Sequence, residues 1–359
     1  MVHLWLRAET KPLEYRAALT PTTCKKLLEN GFQITVERSD QRIFDDSEYE
    51  QLGCTLVPTL SWKTDAPHDA YIIGLKELPE NDPSPISHTH IYFAHCFKNQ
   101  RGWREVMSPF VQGGGTILDL EFLHDEKGRR IAAFGYHAGF AGCGMGLDLW
   151  AYRQLRETFP PARPYPSEDQ FIESVGERIK RAAEVKGRLP RVMVMGALGR
   201  CGTGACDFAR KAGIPEENLL RWDLEETKAG GPFSEILDVD VFVNCIYLAT
   251  PIPPFVTREM LDRKKELAVV VDVSCDTTNP HNPIPIYSVN TTFDEPSVKA
   301  GDVDVISIDH LPTLLPRECS EAFTRDLLPA LIQLKDRENA RVWQDAEKLF
   351  NQKAEEMKN

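Results

Sequence analysis

The chain has 359 residues, enough for two domains at roughly 150 residues each and for more than one sizeable core. Its 54 acidic and 42 basic residues leave a formal charge of −12, which disfavours nucleic acid and anionic membranes as partners. With 42% hydrophobic residues the chain reads as globular rather than disordered, and no apolar run is long enough to span a bilayer.

Short apolar runs alternate with helical stretches, the pattern of an α/β protein with parallel sheets. Residues 2–6 read as a strand, followed by a helix with Thr20 as N-cap, Pro21 in its first turn and Gly31 beyond its end. Further strands are expected at 32–36, 70–75, 90–94 and 116–120. Gly139, Gly142, Gly144 and Gly146 mark a helix that must approach a neighbouring backbone closely. Four prolines within 160–166 exclude helix and, by composition, suggest a linker over 159–166. Ser167 and Gln170 form a capping-box signal for a helix reaching about Lys186. The alternation then restarts, with strands near 191–195, 219–222, 241–245, 268–273 and 303–308, and helices over about 317–334 and 338–357. The first residues lack the basic and apolar regions of a signal peptide, and the last carry no targeting tripeptide. Nine scattered cysteines without a CxxC pair point to free thiols in a reducing compartment, so a cytoplasmic protein is expected.

The strand at 191–195 runs straight into Gly196-Ala197-Leu198-Gly199-Arg200-Cys201-Gly202 and then a helix. Glycines there allow a tight turn and let the backbone approach a pyrophosphate at the helix N-terminus. Asp223 ends the next strand, 21 residues beyond Gly202. It would accept hydrogen bonds from a ribose 2′-hydroxyl and repel a 2′-phosphate, so NAD is favoured over NADP, although Arg221 lies close by. The competing reading is an ordinary glycine-rich turn with a surface aspartate.

Titratable residues follow the strands of the first half with regularity: Arg7 and Glu9, then Lys76 and Glu77, then His95, Lys98 and Gln100, then Glu121 with Arg129 and Arg130. In a parallel sheet the carboxyl ends of the strands share one edge, where ligands bind. Plainer readings stand beside this one. Lys76 and Glu77 could be a solvated pair, since a lysine base requires burial or cationic neighbours. Arg16 could be a surface charge or a carboxylate clamp. His88, His90 and His95 match no zinc-ligand spacing, so no metal is expected. His95 and Cys96 are consecutive and point to opposite faces if extended, which argues against a paired thiol nucleophile.

Taken together, Arg7-Ala8-Glu9-Thr10-Lys11-Pro12, Arg16 to Pro21, Gly74-Leu75-Lys76-Glu77, Phe93-Ala94-His95-Cys96, the glycine turn, Asp276 to Pro283 and Ile308-Asp309-His310-Leu311-Pro312 resemble the NAD-dependent, lysine-forming saccharopine dehydrogenases along nearly the whole chain. Alanine dehydrogenases and transhydrogenase α subunits share the opening motif. The resemblance implies an α/β fold of two Rossmann-like domains around a cleft, a discontinuous substrate domain (1–135 plus 320–359) and an NAD domain (136–319). The proline-rich stretch would then lie inside the second domain. It implies oxidation of saccharopine by NAD⁺ and water to lysine, 2-oxoglutarate and NADH, the last step of the α-aminoadipate route to lysine, by a monomeric enzyme. Lys76 matches the base for the secondary amine, His95 the acid–base group for imine hydrolysis, and Glu121 a carboxylate that tunes Lys76. Arg16, Glu77, Gln100, Arg130, Phe134, Ser274, Cys275 and Asp276 match substrate positions, and Lys98 is a further cation for the three substrate carboxylates. Arg129, Gly199, Arg200, Asp223, Thr227, Tyr247, Val273, Ile308, Asp309, His310 and Leu311 match NAD positions. Cys201 and Cys245 lie at strand ends beside that site, and the family can join these two positions by a disulfide. Two other functions stay open on the residues: an alanine-dehydrogenase-like enzyme for a primary amino acid, and an NAD-binding module without catalysis.

Overall fold

The computed structural model describes every residue except positions 80, 81, 249, 264, 265, 276, 278–280 and 359. The chain forms two compact units, Met1–Ala133 with Pro316–Asn359, and Phe134–Leu315.

The first unit is built on six strands: β1 (His3–Leu6), β2 (Gln33–Glu37), β3 (Thr55–Val57), β4 (Tyr71–Ile73), β5 (Thr89–Tyr92) and β6 (Thr116–Asp119). Their order is β3-β2-β1-β4-β5-β6 and every neighbouring pair is parallel. The chain winds outward from β1 in one direction and returns at β4 to wind in the other. The strand order therefore reverses between β1 and β4, which leaves a crevice at their carboxyl ends. The expected helix forms over Pro21–Glu29, with the Thr20 side chain accepting from the Thr23 amide and Gly31 at positive φ just past its end. The C-terminal helix Pro316–Ile332 packs on it, with Thr324 hydrogen-bonded to Thr20 and Thr23. The last helix, Arg341–Glu356, lies against β6 and buries Phe350 in the same core as Tyr92 and Phe110.

The second unit has β7 (Val192–Met195), β8 (Leu219–Trp222), β9 (Val241–Asn244), β10 (Val269–Asp272), β11 (Val298–Ala300) and β12 (Val303–Ile306), in the order β11-β12-β10-β9-β7-β8. All pairs are parallel except β11 with β12, so one edge departs from the expected all-parallel sheet. Strand residues alternate between two cores. Val192, Val194, Val241, Val243 and Val271 face one, and Met193, Met195, Phe242 and Val270 face the other. The strand order reverses between β7 and β9.

The glycine-rich helix spans Gly135–Leu155 and is buried along most of its length. A Cβ on Gly139 would lie 1.8 Å from the Cys201 carbonyl oxygen, and one on Gly144 would lie 2.3 Å from the Phe171 ring. The proline-rich stretch 159–166 is not a linker between units, because Ala162 and Tyr165 donate their amides to Phe293 and Leu314 inside the second unit. The helix Glu168–Lys186 follows, capped by the Ser167 hydroxyl at the Gln170 amide.

The two kinds of helical glycine should separate on substitution. Gly139→Ala is expected to lower stability by about 1–3 kcal/mol or more, since a backbone carbonyl must move. Gly176→Ala, whose Cβ would meet nothing nearer than 3.6 Å, is expected to raise stability by about 0.5–1 kcal/mol. Urea denaturation of both variants checks this.

Candidate active site

The first unit gathers its chemistry at the carboxyl ends of β1, β4, β5 and β6. Lys76 follows β4, at the crevice where the strand order reverses. Burial lowers its proton affinity, the Arg16 guanidinium and Lys11 ammonium lower it further, and the Glu14 and Glu77 carboxylates oppose them. Glu121 follows β6. Its Oε1 accepts from Lys98 Nζ at 2.8 Å and from Arg130 Nη2 at 2.8 Å, so it balances those two cations.

Arg16 is buried, not a surface charge. Its Nε and Nη2 reach the two Glu14 oxygens at 2.8 and 2.6 Å. Burial by itself would raise the Glu14 carboxyl, and Arg16 outweighs it, holding the carboxyl below its ordinary value. Glu14 is a residue that strand-end reading missed. It lies in the loop after β1, and only its fork-to-fork pairing with Arg16 identifies it.

His95 has a positive φ of 51°, and its Nδ1 is hydrogen-bonded to Glu77 Oε1. Burial would raise the Glu77 carboxyl, but the His95 hydrogen bond, its own backbone amide and Lys11 at 3.7 Å together bring it down to about 2. Asp119, also missed, lies at the end of β6. It accepts from the Ala94 amide at 3.2 Å and the Glu121 amide at 2.8 Å, and burial raises its carboxyl to about 6. It thus ties the segment carrying His95 to the one carrying Glu121. Gln100 Oε1 accepts from the Lys98 amide at 2.8 Å. Arg129 turns to Asp125, with Nε to Oδ2 at 3.0 Å. Cys96 is fully buried and its thiol is pushed up by burial. The three histidines do not converge. His90 packs between Trp62 and Phe110 with ring centroids 4.7 and 5.1 Å away, and His88 Nε2 meets the Ala66 carbonyl at 3.2 Å.

The second unit presents the glycine turn at the carboxyl end of β7, beside the reversal between β7 and β9. Gly196 has φ +84°, and a Cβ on Gly202 would lie 2.1 Å from the Gly196 carbonyl oxygen. Among the described residues no side chain caps the helix Arg200–Lys211, whose N-cap is Gly199. Asp223 follows β8, and its Oδ2 accepts from the Leu198 amide at 2.9 Å, so the acid is bound to the turn itself. Thr227 Oγ1 donates to the Asp223 carbonyl at 2.8 Å. A glycine turn with no room for a Cβ at Gly196 or Gly202, next to a fixed carboxylate, suits a dinucleotide.

The other positions lie at the same edge. Val273 follows β10, and its amide donates to the Asn244 carbonyl at 3.0 Å. Ser274 Oγ donates to Asp272 Oδ1 at 2.7 Å. Cys275 is buried with φ +35°, and Asp276 lies outside the described residues. Tyr247, after β9, is 62% exposed. Beyond β12, Ile308 and Leu311 are buried, while Asp309 and His310 pair with each other. Phe134 stands at the start of the helix Gly135–Leu155. Cys201 and Cys245 are free thiols, and Cys245 is pushed up by its hydrogen bond to Cys201 and by burial.

Comparison with known proteins identifies the family and the fold. The family described as Alanine dehydrogenase/PNT, N-terminal domain, matches residues 5–141, and Alanine dehydrogenase/PNT, C-terminal domain, matches residues 231–354. The saccharopine dehydrogenase [NAD(+), L-lysine-forming] of Schizosaccharomyces pombe is 60% identical, covering 97% of both chains. Its namesake in Candida albicans is 51% identical, over 98% of this chain and 96% of its own. A solved L-alanine dehydrogenase shares the fold with a TM-score of 0.69 at 16% identity, covering 98% of this chain and 94% of its own. A transhydrogenase from Sinorhizobium meliloti follows at 0.63 and 17% identity, covering 92% and 94%. Identity above half over almost the entire length, together with the strand-end chemistry, settles the family: the chain belongs to the NAD(+)-dependent, L-lysine-forming saccharopine dehydrogenases.

Proposed function

We propose that this enzyme oxidises saccharopine with NAD⁺ and water to give L-lysine, 2-oxoglutarate and NADH, the last step of an α-aminoadipate route to lysine. The observation that carries the reading is Lys76, an amine at the strand-order reversal whose charged form is disfavoured by burial and by Arg16. A base must hold a free lone pair, and such surroundings make the neutral amine accessible.

In this reading Lys76 Nζ takes the proton of the substrate's secondary amine. NAD⁺, when bound at the Gly196–Gly202 turn with Asp223 on its ribose, supplies the hydride acceptor. His95, oriented through Nδ1 by Glu77, keeps Nε2 for the water that attacks the imine and for collapse of the carbinolamine. Glu77 therefore acts on the substrate through His95. Saccharopine carries three carboxylates, for which Arg16, Lys98 and Arg130 are the cations. Glu14 and Glu121 fix and partly neutralise them before the substrate arrives. Gln100, Phe134, Ser274 and Cys275 complete the substrate positions. Arg129, Gly199, Arg200, Cys201, Thr227, Tyr247, Val273, Ile308, Asp309, His310 and Leu311 complete those for NAD. We assign most substrate positions to the first unit and most dinucleotide positions to the second, with Phe134, Ser274 and Cys275 of the second unit and Arg129 of the first as the exceptions.

We also read the enzyme as a cytoplasmic monomer. Its nine cysteines are all free thiols, and its net charge of −12 opposes self-association. Among the described residues no helix is long and apolar enough to cross a membrane.

The direct test follows NADH absorbance with saccharopine, against glutamate and alanine. Saccharopine should be the substrate, and NADH from alanine but not from saccharopine would overturn the reading. Lys76→Met should lower kcat by roughly 10²–10⁴-fold, the usual contribution of a general base. The same variant makes a stability prediction. A lysine whose folded pKa lies below its unfolded value destabilises the fold while protonated in both states, and that penalty vanishes above the unfolded pKa of about 10.4. Lys76→Met should thus be more stable than the parent at pH 7, by a margin that shrinks as the pH approaches 10. Chemical denaturation across that range measures it. Asp223→Ser should reduce kcat/KM for NAD⁺ by roughly 10–100-fold, the size of a lost charged hydrogen bond, and improve use of NADP⁺, read by exchanging the cofactor in the same assay.

A further inference from the structure

The base is a side chain on four rotatable carbons, attached just past the end of a strand. β4 stops at Ile73, and the chain beyond it keeps only part of its ladder: the Gly74 amide donates to Ile91, and the Leu75 carbonyl accepts from Phe93. The Leu75 and Lys76 amides and the Lys76 carbonyl need partners from elsewhere. All three find them on one pair of side chains. Glu9 Oε1 accepts from the Leu75 amide at 2.6 Å, Glu9 Oε2 accepts from the Lys76 amide at 3.0 Å, and Arg7 Nη2 donates to the Lys76 carbonyl. Arg7 Nη1 lies 3.4 Å from Glu9 Oε2, which joins the two into one body.

This body is buried, with side-chain exposures of 2% for Arg7 and 6% for Glu9. Burying a guanidinium and a carboxylate together stabilises a fold little beyond what apolar residues of the same size would. Space has been made for it nonetheless: a Cβ on Gly74 would lie 2.4 Å from Arg7 Nε. The Arg7 Nε itself has no hydrogen-bond partner among the described residues, although it is buried. A pair selected for stability alone would not leave that donor unmet. What the arrangement does achieve is geometric. The two peptide groups flanking the Lys76 α-carbon are both held, so the direction in which its side chain leaves the backbone is set before the substrate binds.

We propose that Arg7 and Glu9 are positioning residues for Lys76, a buried ion pair that grips the peptides on both sides of it and so places its amine for proton transfer. This rests on the reading of Lys76 as the base. Neither residue touches the reacting atoms in this account. Their contribution comes from the sensitivity of proton transfer to placement, in which a misplacement of about 1 Å costs on the order of 10²-fold in rate.

The test is a double-mutant cycle on the full-length enzyme. In Glu9→Gln one carboxylate oxygen becomes an amide nitrogen that opposes either the Leu75 or the Lys76 N–H. Its kcat should fall by about 10²-fold, KM for NAD⁺ should stay within twofold, and the acid limb of the kcat/KM pH profile should move. In Lys76→Ala, with the base replaced by added methylamine, Glu9→Gln should change the rescued rate less than threefold, because there is no tethered amine left to misplace. An equal loss in both backgrounds, or no loss in the parent, overturns the proposal. If Lys76→Ala keeps full activity without methylamine, the reading of Lys76 as base fails first and takes this proposal with it. If methylamine does not restore activity to a folded Lys76→Ala, the free-base role is refuted, with the same consequence. Should Glu9→Gln not fold, Arg7→Lys replaces it in the cycle. It keeps the buried charge but offers a point donor in place of a fork, and the same pattern of losses is expected.

Discussion

An amine can serve as a base near neutral pH only if its surroundings disfavour the ammonium, and the proposed role of Lys76 rests on surroundings of that kind. Burial removes the water that would solvate the charge, and Arg16 and Lys11 oppose it directly. The buried Arg16 would be expensive to leave unpaired, and Glu14 holds it, while Glu77 pairs with the more exposed Lys11 and His95. The outcome is a site in which the Lys76 ammonium is disfavoured while the Glu14 and Glu77 carboxylates are held below their ordinary values.

Both units solve the problem of presenting such groups in the same way. Parallel strands buried on both faces send their carboxyl ends to one edge, and the reversal of strand order opens that edge. In the first unit the reversal between β1 and β4 brings Arg7 and Glu9 against Lys76, 69 and 67 residues away in the chain. In the second, the reversal between β7 and β9 places the glycine turn next to Cys245 and Ile246, close enough that a Cβ on Gly196 would lie 2.9 Å from the Ile246 side chain. The second edge is also braced from within. Asp272 accepts from Asn244, Ser274 and Tyr287, and Tyr287 accepts from Ser307, so the ends of β9, β10 and β12 are linked by one buried network.

Some elements could be read from sequence and others could not, for identifiable reasons. Buried parallel strands are rich in apolar residues, so β1, β7, β9 and β10 stand out as nearly continuous runs, while β2 and β12 keep apolar residues at alternate positions. β3 and β11 have three residues each and lie at sheet edges with mixed burial, so they give no such run. The helix Trp103–Gly113 was missed as well. It carries Pro109 in its interior and glycines at both caps, and its apolar face, Met107 and Phe110, is too short for a clear period. The proline-rich stretch misled in the opposite direction, since composition records that a segment is not helical but not which partners its amides find.

The amino-acid order by itself determined the alternation of strands and helices, the glycine turn with its acid, and the kinds of group that follow each strand, because these depend on local stereochemistry and on period. Only the tertiary structure decided which charge faces which. Glu121 meets Lys98 and Arg130, Glu77 meets His95, and Arg16 is closed onto Glu14. Electrostatic effects depend on distance in space and on the water excluded from between the charges, and chain order carries neither.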